Sequence, residues 1–300
     1  MKVSIIVPAY NEEGNIEVLY EKLRRVMEEG WEVILVDDGS TDGTYQEIER
    51  VKKEDPRVKS VHLPINSGKS VALKEGFLKS EGEIIVTMDA DLQDDPEEIP
   101  RVIEEIEKGA DIVCGWRFAR KDPFWKRFPS RIFNFFVSWW GRLRIHDINC
   151  GLKAFRREVI ENIEFYGDLY RFLPLIASWK GFTVTEVKVK HHPRRKGKSK
   201  YGWKKFYSGF LDFLTIMFLT HYRVKPLHLF GSIGLILLLP GSGIEIGLAL
   251  RWFLSYPHSV GGHYPLLWLG ILLIIVGIQF ISLGLLAEMI TYGFMQRRGR

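Results

Sequence analysis

The sequence of 300 residues is poor in cysteine, and we do not expect its first residues to form a secretory leader. Its only cysteines, Cys114 and Cys150, do not have the spacing of metal ligands. We therefore expect two reduced thiols facing the cytosol, and neither a disulfide nor a cysteine metal site. The apolar run Val3–Ala9 is broken by Pro8 and is too short for a signal-peptide core. We expect it to form a first strand.

No recognised nucleic-acid-binding module is present, although the formal net charge is +5. The positive charge is concentrated in residues 191–200, in Lys204-Lys205 and in the last four residues, 297–300. Such clusters attract phosphate groups, for example those of an anionic lipid or a phosphorylated substrate. We expect these partners and no nucleic acid.

Formal charge is absent from residues 264–287, a stretch long enough to cross a bilayer with some tilt. Residues 227–250 form a weaker span, which Pro240–Gly243 should interrupt. Glu245 lies inside this span and should be paired or close to a membrane interface. The alternative is a helical hairpin buried in a soluble domain, which the uniformly apolar second span disfavours.

Basic residues predict the orientation of these two spans. Arg223 and Lys225 precede the first span and three arginines end the chain, whereas the connection 251–263 carries only Arg251. The positive-inside rule then places both ends of the spans in the cytoplasm.

The first 115 residues alternate between strand-like and helix-like patterns. This alternation indicates an α/β fold with a mostly parallel sheet and right-handed crossovers. The predicted strands are Val3–Val7, Glu32–Val36, Val58–Leu63, Ile84–Met88 and Asp111–Gly115. The predicted helices are Asn15–Glu29, Thr41–Lys53, Ser70–Lys79 and Glu97–Lys108.

Two carboxylates appear where the apolar strand Ile84–Met88 should end. On an extended chain, residues two apart point to the same side, so Asp89, Asp91 and the amide oxygen of Gln93 could converge on one hard cation. Such oxygen ligands suit Mg²⁺ or Mn²⁺ shared with substrate phosphates. The alternative is a solvated acidic loop that starts a helix at Pro96.

Polar residues also follow the other strands, in 8–13, 36–43 and 66–69. Each set could supply only helix caps and turns. Each could also serve a nucleotide: Tyr10 by stacking on a base, Asp38 by binding its polar edge or the ribose, and Lys69 by facing a pyrophosphate. Their recurrence at successive strand ends favours the second interpretation.

Three segments closely resemble the inverting family 2 glycosyltransferases, whose Rossmann-like fold is called GT-A. They are Val7–Glu12, Val36–Ser40 and Met88–Pro96. Later segments look like the branch that uses polyprenyl phosphates, which contains the dolichol-phosphate mannose synthases and bactoprenol glucosyltransferases. These segments are Asn149–Arg157, Tyr166–Pro174 and Arg194–Gly202.

The resemblance implies a division of the chain into four parts. Residues 1–202 would form a cytoplasmic catalytic domain with an interfacial helix at about 123–143, and 203–225 a juxtamembrane amphipathic helix. Two transmembrane helices would follow in 226–292, and 293–300 would be a basic cytoplasmic tail. Aromatic and basic residues in the two amphipathic segments suit a membrane interface; the alternative is packing on the sheet or on another subunit.

The resemblance also implies a role for each matching residue. The donor would be bound by Pro8, Tyr10, Glu12, Asp38, Lys69, Asp89 and Ala90. The metal ligands would be Asp89, Asp91 and Gln93. The catalytic set would be Asp91, Arg194, Lys200 and Asp147, although Asp147 suits a structural cap equally well. The acceptor phosphate would meet Arg117, Arg131 and Ser199.

The implied reaction moves a hexose from a nucleotide-sugar to polyprenyl or dolichyl phosphate at a cell membrane, with inversion. The segments Gln93–Pro96 and Tyr166–Pro174 favour a UDP-hexose such as UDP-glucose over GDP-mannose, which remains the alternative. A processive polysaccharide synthase would carry a Gln-x-x-Arg-Trp motif, which is absent. A membrane-anchored nucleotide-sugar-binding scaffold, a soluble nucleotidyltransferase and a homo-oligomer also remain open.

Overall fold

The computed structural model describes residues 1–118, 143, 145–163, 169–192, 215, 225–254 and 262–298. It divides into two units, Met1–Asp212 and Phe213–Arg300. The described part of the first unit contains one sheet of seven strands. The strands are β1 (Val3–Ala9), β2 (Trp31–Asp37), β3 (Val58–His62), β4 (Ile84–Thr87), β5 (Ile112–Trp116), β6 (Lys153–Arg156) and β7 (Val184–Lys188).

The strand order is β3-β2-β1-β4-β6-β5-β7, and β6 alone in this sheet runs antiparallel to its neighbours. Six described helices accompany the strands: α1 (Ile16–Val26), α2 (Thr44–Glu54), α3 (Lys69–Lys79), α4 (Ile99–Glu107), α5 (Arg157–Asn162) and α6 (Leu173–Trp179). Single 3₁₀ turns occupy Pro96–Glu98 and Leu169–Phe172.

The predicted alternation and the mostly parallel sheet are confirmed. Strands β1, β2 and β4 are almost wholly buried, as expected of parallel strands covered on both faces. The antiparallel β6 and the edge strand β7 were not predicted. β6 has only four residues, two of them basic, and β7 mixes charged with apolar residues, so neither shows a strong strand pattern.

The second unit contains two long apolar helices that pack against each other, α7 (Pro226–Leu254) and α8 (Tyr264–Arg298). Glycines allow the close approach, because a Cβ at Gly234 would lie 2.7 Å from the Gly277 carbonyl oxygen. A Cβ at Gly241 would similarly lie 2.9 Å from the Gly270 carbonyl oxygen. The two helices therefore form an antiparallel hairpin.

The predicted interruption of the first span is wrong, because α7 continues through Pro240. Helices of this kind tolerate proline where neighbouring groups satisfy the freed carbonyl. Both helices are long and apolar enough to cross a membrane, and only 17% of each apolar window is buried. Such exposure argues against the buried hairpin of a soluble domain. Within the described residues, Glu245 Oε1 has no hydrogen-bond partner.

A buried polar contact ties α1 to the loop that follows α2. The Tyr20 hydroxyl donates to Asp55 Oδ2, and Arg57 Nη2 donates to the same oxygen at 2.7 Å. Burial and the nearby Asp55 carboxylate raise the pKa of Tyr20 to about 12, from an ordinary value of 10.0. The protonated phenol therefore stabilises the fold, and this stabilisation is lost as the pH rises from 10 towards 12.

We predict that Tyr20→Phe lowers the free energy of unfolding by about 1.5–3 kcal/mol, because a hydrogen bond to a buried carboxylate is lost. Thermal unfolding in detergent, followed by tryptophan fluorescence, measures this change, with about 2–4 °C expected for each kcal/mol. The difference from the wild type should shrink above pH 10. Tyr45→Phe, which keeps the ring packed against His62, is the matched control. Equal unfolding temperatures for Tyr20→Phe and the wild type would contradict the assignment.

Candidate active site at the carboxyl edge of the sheet

The candidate site is built from loops that follow β1, β2 and β4 at one edge of the sheet. Ala9 and Asp37 end β1 and β2 in register, and β4 lies on the other side of β1. Parallel strands bring their carboxyl ends to a common edge, which is the usual ligand-binding edge of open α/β sheets. The predicted donor residues after these strands therefore lie along one edge.

Asp38 organises the loop that leads into α3. Its carboxylate accepts hydrogen bonds from the backbone N–H groups of Ser67 at 2.7 Å and Gly68 at 3.0 Å, and from Asn66 Nδ2 at 3.1 Å. Gly39 permits this packing, because its φ is +66° and a Cβ there would lie 2.4 Å from the Ile65 carbonyl carbon. Asp38 thus fixes the start of α3.

The loops after β1 and β2 are interlocked by side chains that bind backbone groups. Asn11, with a φ of +54°, accepts from the Thr41 N–H at 2.8 Å and donates its own N–H to Ser40 Oγ at 2.9 Å. The Glu12 N–H donates to Thr44 Oγ1 at 2.8 Å, and its carboxylate accepts from Asn15. Pro8 and Tyr10, which are also predicted to bind the sugar donor, are half-buried where β1 ends.

The chain turns sharply among the predicted metal ligands. β4 ends at Thr87, and Leu92 has a φ of +60°, so the chain from Asp89 to Gln93 is not a continuous extended strand. Asp91 Oδ1 instead accepts from the Gln93 N–H at 3.1 Å. The expectation of an extended chain through these three residues is therefore wrong, and their convergence on one cation stays a prediction. The Leu92 side chain is buried in this turn.

Asp89 is paired with a lysine from α3. Lys69 Nζ donates to Asp89 Oδ1, and the same ammonium lies 4.8 Å from the centre of the Tyr170 ring. Burial would lower the pKa of Lys69, but the Asp89 carboxylate outweighs it and raises that pKa. Burial would raise the pKa of Asp89, but Lys69, Lys153 and Arg117 together hold it below its ordinary value. Both groups are therefore charged near neutral pH.

Asp94 and His191 were not among the predicted site residues. Asp94 is 4% exposed, and its Oδ1 lies 3.8 Å from His191 Nδ1, an atom that is itself buried. A Cβ at Gly151 would lie 2.7 Å from Asp94 Oδ2 and 2.8 Å from Asp89 Oδ2, so the missing side chain leaves room for both carboxylates. The Asp94-Asp95 pair in the sequence was the available signal, but the distant histidine could not be inferred from it.

The predicted acceptor residue Arg117 is committed to a buried ion pair. Its Nε and Nη2 donate to the two carboxylate oxygens of Asp147 at 2.6 and 2.9 Å. Burial would lower the pKa of Arg117, but Asp147 outweighs it and raises that pKa. Glu186 accepts the Asp147 N–H at 2.9 Å. This geometry favours Asp147 as a residue that holds Arg117, rather than one that moves a proton.

The oxygen atoms at this edge fit a divalent cation that is coordinated by both protein and substrate. Asp89, Asp91 and Gln93 offer hard oxygens, which Mg²⁺ and Mn²⁺ prefer. Within the described ranges, no group of three or more His, Cys, Asp or Glu residues is arranged to hold a metal ion. Oxygens of the nucleotide-sugar donor would therefore have to complete the coordination shell of the metal.

Several predicted residues are not brought together in the described structure. Ala90 is buried beside Asp89 and contributes no polar side chain. The remaining predicted residues lie outside the described residues: Arg131, Arg194, Ser199 and Lys200. The same holds for almost all of the two predicted interfacial segments, 123–143 and 203–225.

Known proteins are similar to this chain in sequence. Residues 4–164 match the family described as Glycosyl transferase family 2. The chain is 35% identical to the dodecaprenyl-phosphate galacturonate synthase of Rhizobium johnstonii over 306 residues, which cover 97% of this chain and 88% of that protein. It is 32% identical to the undecaprenyl-phosphate 4-deoxy-4-formamido-L-arabinose transferase of Yersinia enterocolitica, over 100% of this chain and 91% of that protein.

A solved structure shares the fold of the first unit's sheet. It is the glucosyl-3-phosphoglycerate synthase of Mycobacterium tuberculosis in complex with Mn²⁺, UDP and phosphoglyceric acid. The TM-score is 0.59 at 18% sequence identity, and the match covers 72% of this chain and 77% of that chain. At this identity the likeness establishes the fold only.

We predict that Asp147→Asn lowers the free energy of unfolding by about 3 kcal/mol, because it leaves the buried Arg117 cation without its counter-charge. Thermal unfolding of the purified protein measures the effect. Glu104→Gln is the matched control, since it removes an exposed carboxylate from an ion pair with Lys108 and should leave the midpoint unchanged. An Asp147→Asn protein as stable as this control would show that the pair does not hold the fold.

Proposed function

The chain belongs to glycosyl transferase family 2, in its polyprenyl-phosphate branch, and from this premise we propose that it transfers a hexose from a nucleotide-sugar to polyprenyl phosphate. The resemblance read from the sequence motifs is confirmed, and the protein is a glycosyltransferase. Two relatives that align along nearly the whole chain are named for dodecaprenyl-phosphate and undecaprenyl-phosphate. Their names support a long polyprenyl phosphate as the acceptor.

The proposal rests on the presence, in one chain, of the charged carboxyl edge of the sheet and of the apolar hairpin. Carboxylates and cations meet at the edge around Asp89, Lys69 and Arg117. The described part of the chain also contains two helices apolar enough to cross a membrane. A soluble nucleotidyltransferase would need the first feature but not the second, whereas a transferase acting on a lipid phosphate needs both.

The chemistry follows from the charge of the acceptor. The oxygen of a lipid monophosphate is already anionic near neutral pH, so it needs no strong general base. It attacks the anomeric carbon of the donor, the bond from that carbon to the diphosphate oxygen breaks, and the nucleoside diphosphate leaves. The product therefore has the inverted anomeric configuration. Cationic groups lower the repulsion between the two anions, and Arg117, held by Asp147, is one candidate for the acceptor phosphate.

Asp89, Asp91 and Gln93 are the residues proposed to hold Mg²⁺ or Mn²⁺. When bound, such a cation would stabilise the negative charge of the departing diphosphate. Lys69, with the predicted residues Arg194, Ser199 and Lys200 of the basic segment 191–200, would bind the phosphates of donor and acceptor. Tyr10, Glu12 and Asp38 would line the nucleoside part of the same edge.

We further propose a UDP-hexose donor, with GDP-mannose as the alternative, and a catalytic unit on the cytoplasmic face of the membrane. The segment Gln93–Pro96 supports the uridine nucleotide by its resemblance to enzymes that use UDP-hexoses. Basic residues beside the hairpin support the cytoplasmic orientation, because Lys225 precedes α7 and three arginines follow the apolar part of α8.

We predict that the purified protein in detergent moves radiolabelled sugar from one nucleotide-sugar into the lipid phase when polyprenyl phosphate is supplied with Mg²⁺ or Mn²⁺. A panel of UDP- and GDP-sugars identifies the donor. EDTA should abolish the label, and Asp91→Ala should lower the rate by at least about 100-fold, as loss of a group that stabilises transition-state charge does. Glu97→Ala, an exposed carboxylate of the following turn, is the matched control.

The outcomes separate the competing functions. Lipid-phase label that resists EDTA would contradict the proposed role of the metal. Metal-dependent nucleotide binding without lipid label from any donor would contradict the proposed acceptor and favour a nucleotide-sugar-binding scaffold.

We predict that an α-linked donor gives a β-linked lipid-phosphate sugar, because a single in-line displacement inverts the anomeric carbon. The anomeric proton–carbon coupling of the purified product, measured by NMR, checks the configuration. An α-linked product would refute the single in-line displacement.

A further inference from the structure

Lys69 and Asp89 are assigned to different partners in the proposed reaction, yet in the structure they bind each other. Asp89 is assigned to the divalent cation and Lys69 to the donor diphosphate, whereas Lys69 Nζ donates to Asp89 Oδ1. The contact joins residues 20 apart in the chain, because α3 begins at Lys69 beside the end of β4. In the structure, the Asp89 carboxylate is therefore already paired with the Lys69 ammonium group.

An ammonium group and a divalent cation compete for this carboxylate. Two cations on one carboxylate repel each other strongly where water is partly excluded, and only 38% of the Asp89 side chain is exposed. The other oxygen, Oδ2, lies in the space beside Gly151 that it shares with Asp94 Oδ2. A metal that binds Asp89 therefore has to displace Lys69, and Lys69 then needs another anion.

We propose that Lys69 occupies the place of the divalent cation on Asp89 in the donor-free protein and moves to the donor diphosphate when donor and metal bind together. The inference rests on the proposed function and deepens it by making Lys69 a positioning residue shared between two ligands. It follows that metal alone binds weakly and that a nucleoside diphosphate strengthens metal binding beyond its own contacts with the metal.

Two further observations support the exchange. The described residues contain no group of three or more acidic, histidine or cysteine side chains arranged to hold a metal, so a metal without donor phosphates has few protein ligands. The backbone before Lys69 is also held independently of the Lys69–Asp89 contact, because the Asp38 carboxylate accepts the N–H groups of Ser67 and Gly68.

Binding of Mn²⁺ to the metal-free, full-length protein tests the proposal without measuring activity. The electron paramagnetic resonance signal of free Mn²⁺ reports binding, with no nucleotide and with saturating UDP or GDP. In the wild type, the nucleotide should strengthen Mn²⁺ binding. In Lys69→Met, Mn²⁺ alone should bind at least about fivefold more tightly, and the strengthening by nucleotide should fall.

Three variants isolate the competition at Asp89. Lys69→Arg keeps the positive charge and should behave like the wild type. Lys74→Met removes an exposed lysine of the same helix and should also leave Mn²⁺ binding unchanged. In an Asp89→Asn background, Lys69→Met should no longer strengthen Mn²⁺ binding, because the contested carboxylate is gone. Lys69→Met should fold, since Lys153 and Arg117 still offset the charge of Asp89.

The proposal is overturned if Lys69→Met binds Mn²⁺ no more tightly than the wild type, or gains as much affinity in the Asp89→Asn background. Failure of the proposed function looks different, because then no sugar reaches the lipid in the transfer assay whatever Mn²⁺ does. A protein that transfers sugar but shows no gain in Lys69→Met would refute the exchange alone.

Discussion

Charge compensation at the carboxyl edge of the sheet is the constraint on which the site depends. A carboxylate withdrawn from water is strongly destabilising unless a cation accompanies it. The described edge meets this requirement with interleaved charges, Asp89, Asp94 and Asp147 among Lys69, Lys153 and Arg117. Acidic groups can therefore lie close together at this edge without destabilising the sheet beneath them.

Side chains that bind backbone groups give the site its rigidity. The loops after β1 and β2 contain no regular structure, yet Asn11 donates its N–H to Ser40 and accepts the N–H of Thr41 across them. Asp38 accepts backbone N–H groups of the loop before α3. A loop held in this way loses less conformational freedom when a ligand binds, so less binding free energy is lost. The same bonds fix where α3 begins, and that start sets the reach of Lys69 towards Asp89.

The sequence predicted what depends on local patterns and missed what depends on how distant segments meet. Buried apolar runs predicted β1, β2 and β4, and the absence of charge predicted α8, because both patterns follow from solvent exclusion alone. The pairing of Lys69 with Asp89 and the approach of His191 to Asp94 depend on the sheet order and the strand register, which no local pattern specifies. The turn at Leu92 was missed because leucine rarely adopts a positive φ.

The two acidic residues of the apolar hairpin, Glu245 and Glu288, differ in their hydrogen bonding. Glu288 of α8 accepts the Leu227 N–H at 3.1 Å, and so satisfies one of the donors that the first turn of α7 leaves unpaired. In the part of the chain that the structure describes, Glu245 Oε1 has no such partner and lies against Gly270, where a larger residue would clash. The glycine contacts continue along the helices, since Gly270, Gly277 and Gly284 recur every seven residues, a spacing that keeps one face of α8 against α7. Both helices are apolar enough to cross a membrane, and in that environment van der Waals contact along this face, rather than exclusion of water, would hold the hairpin together.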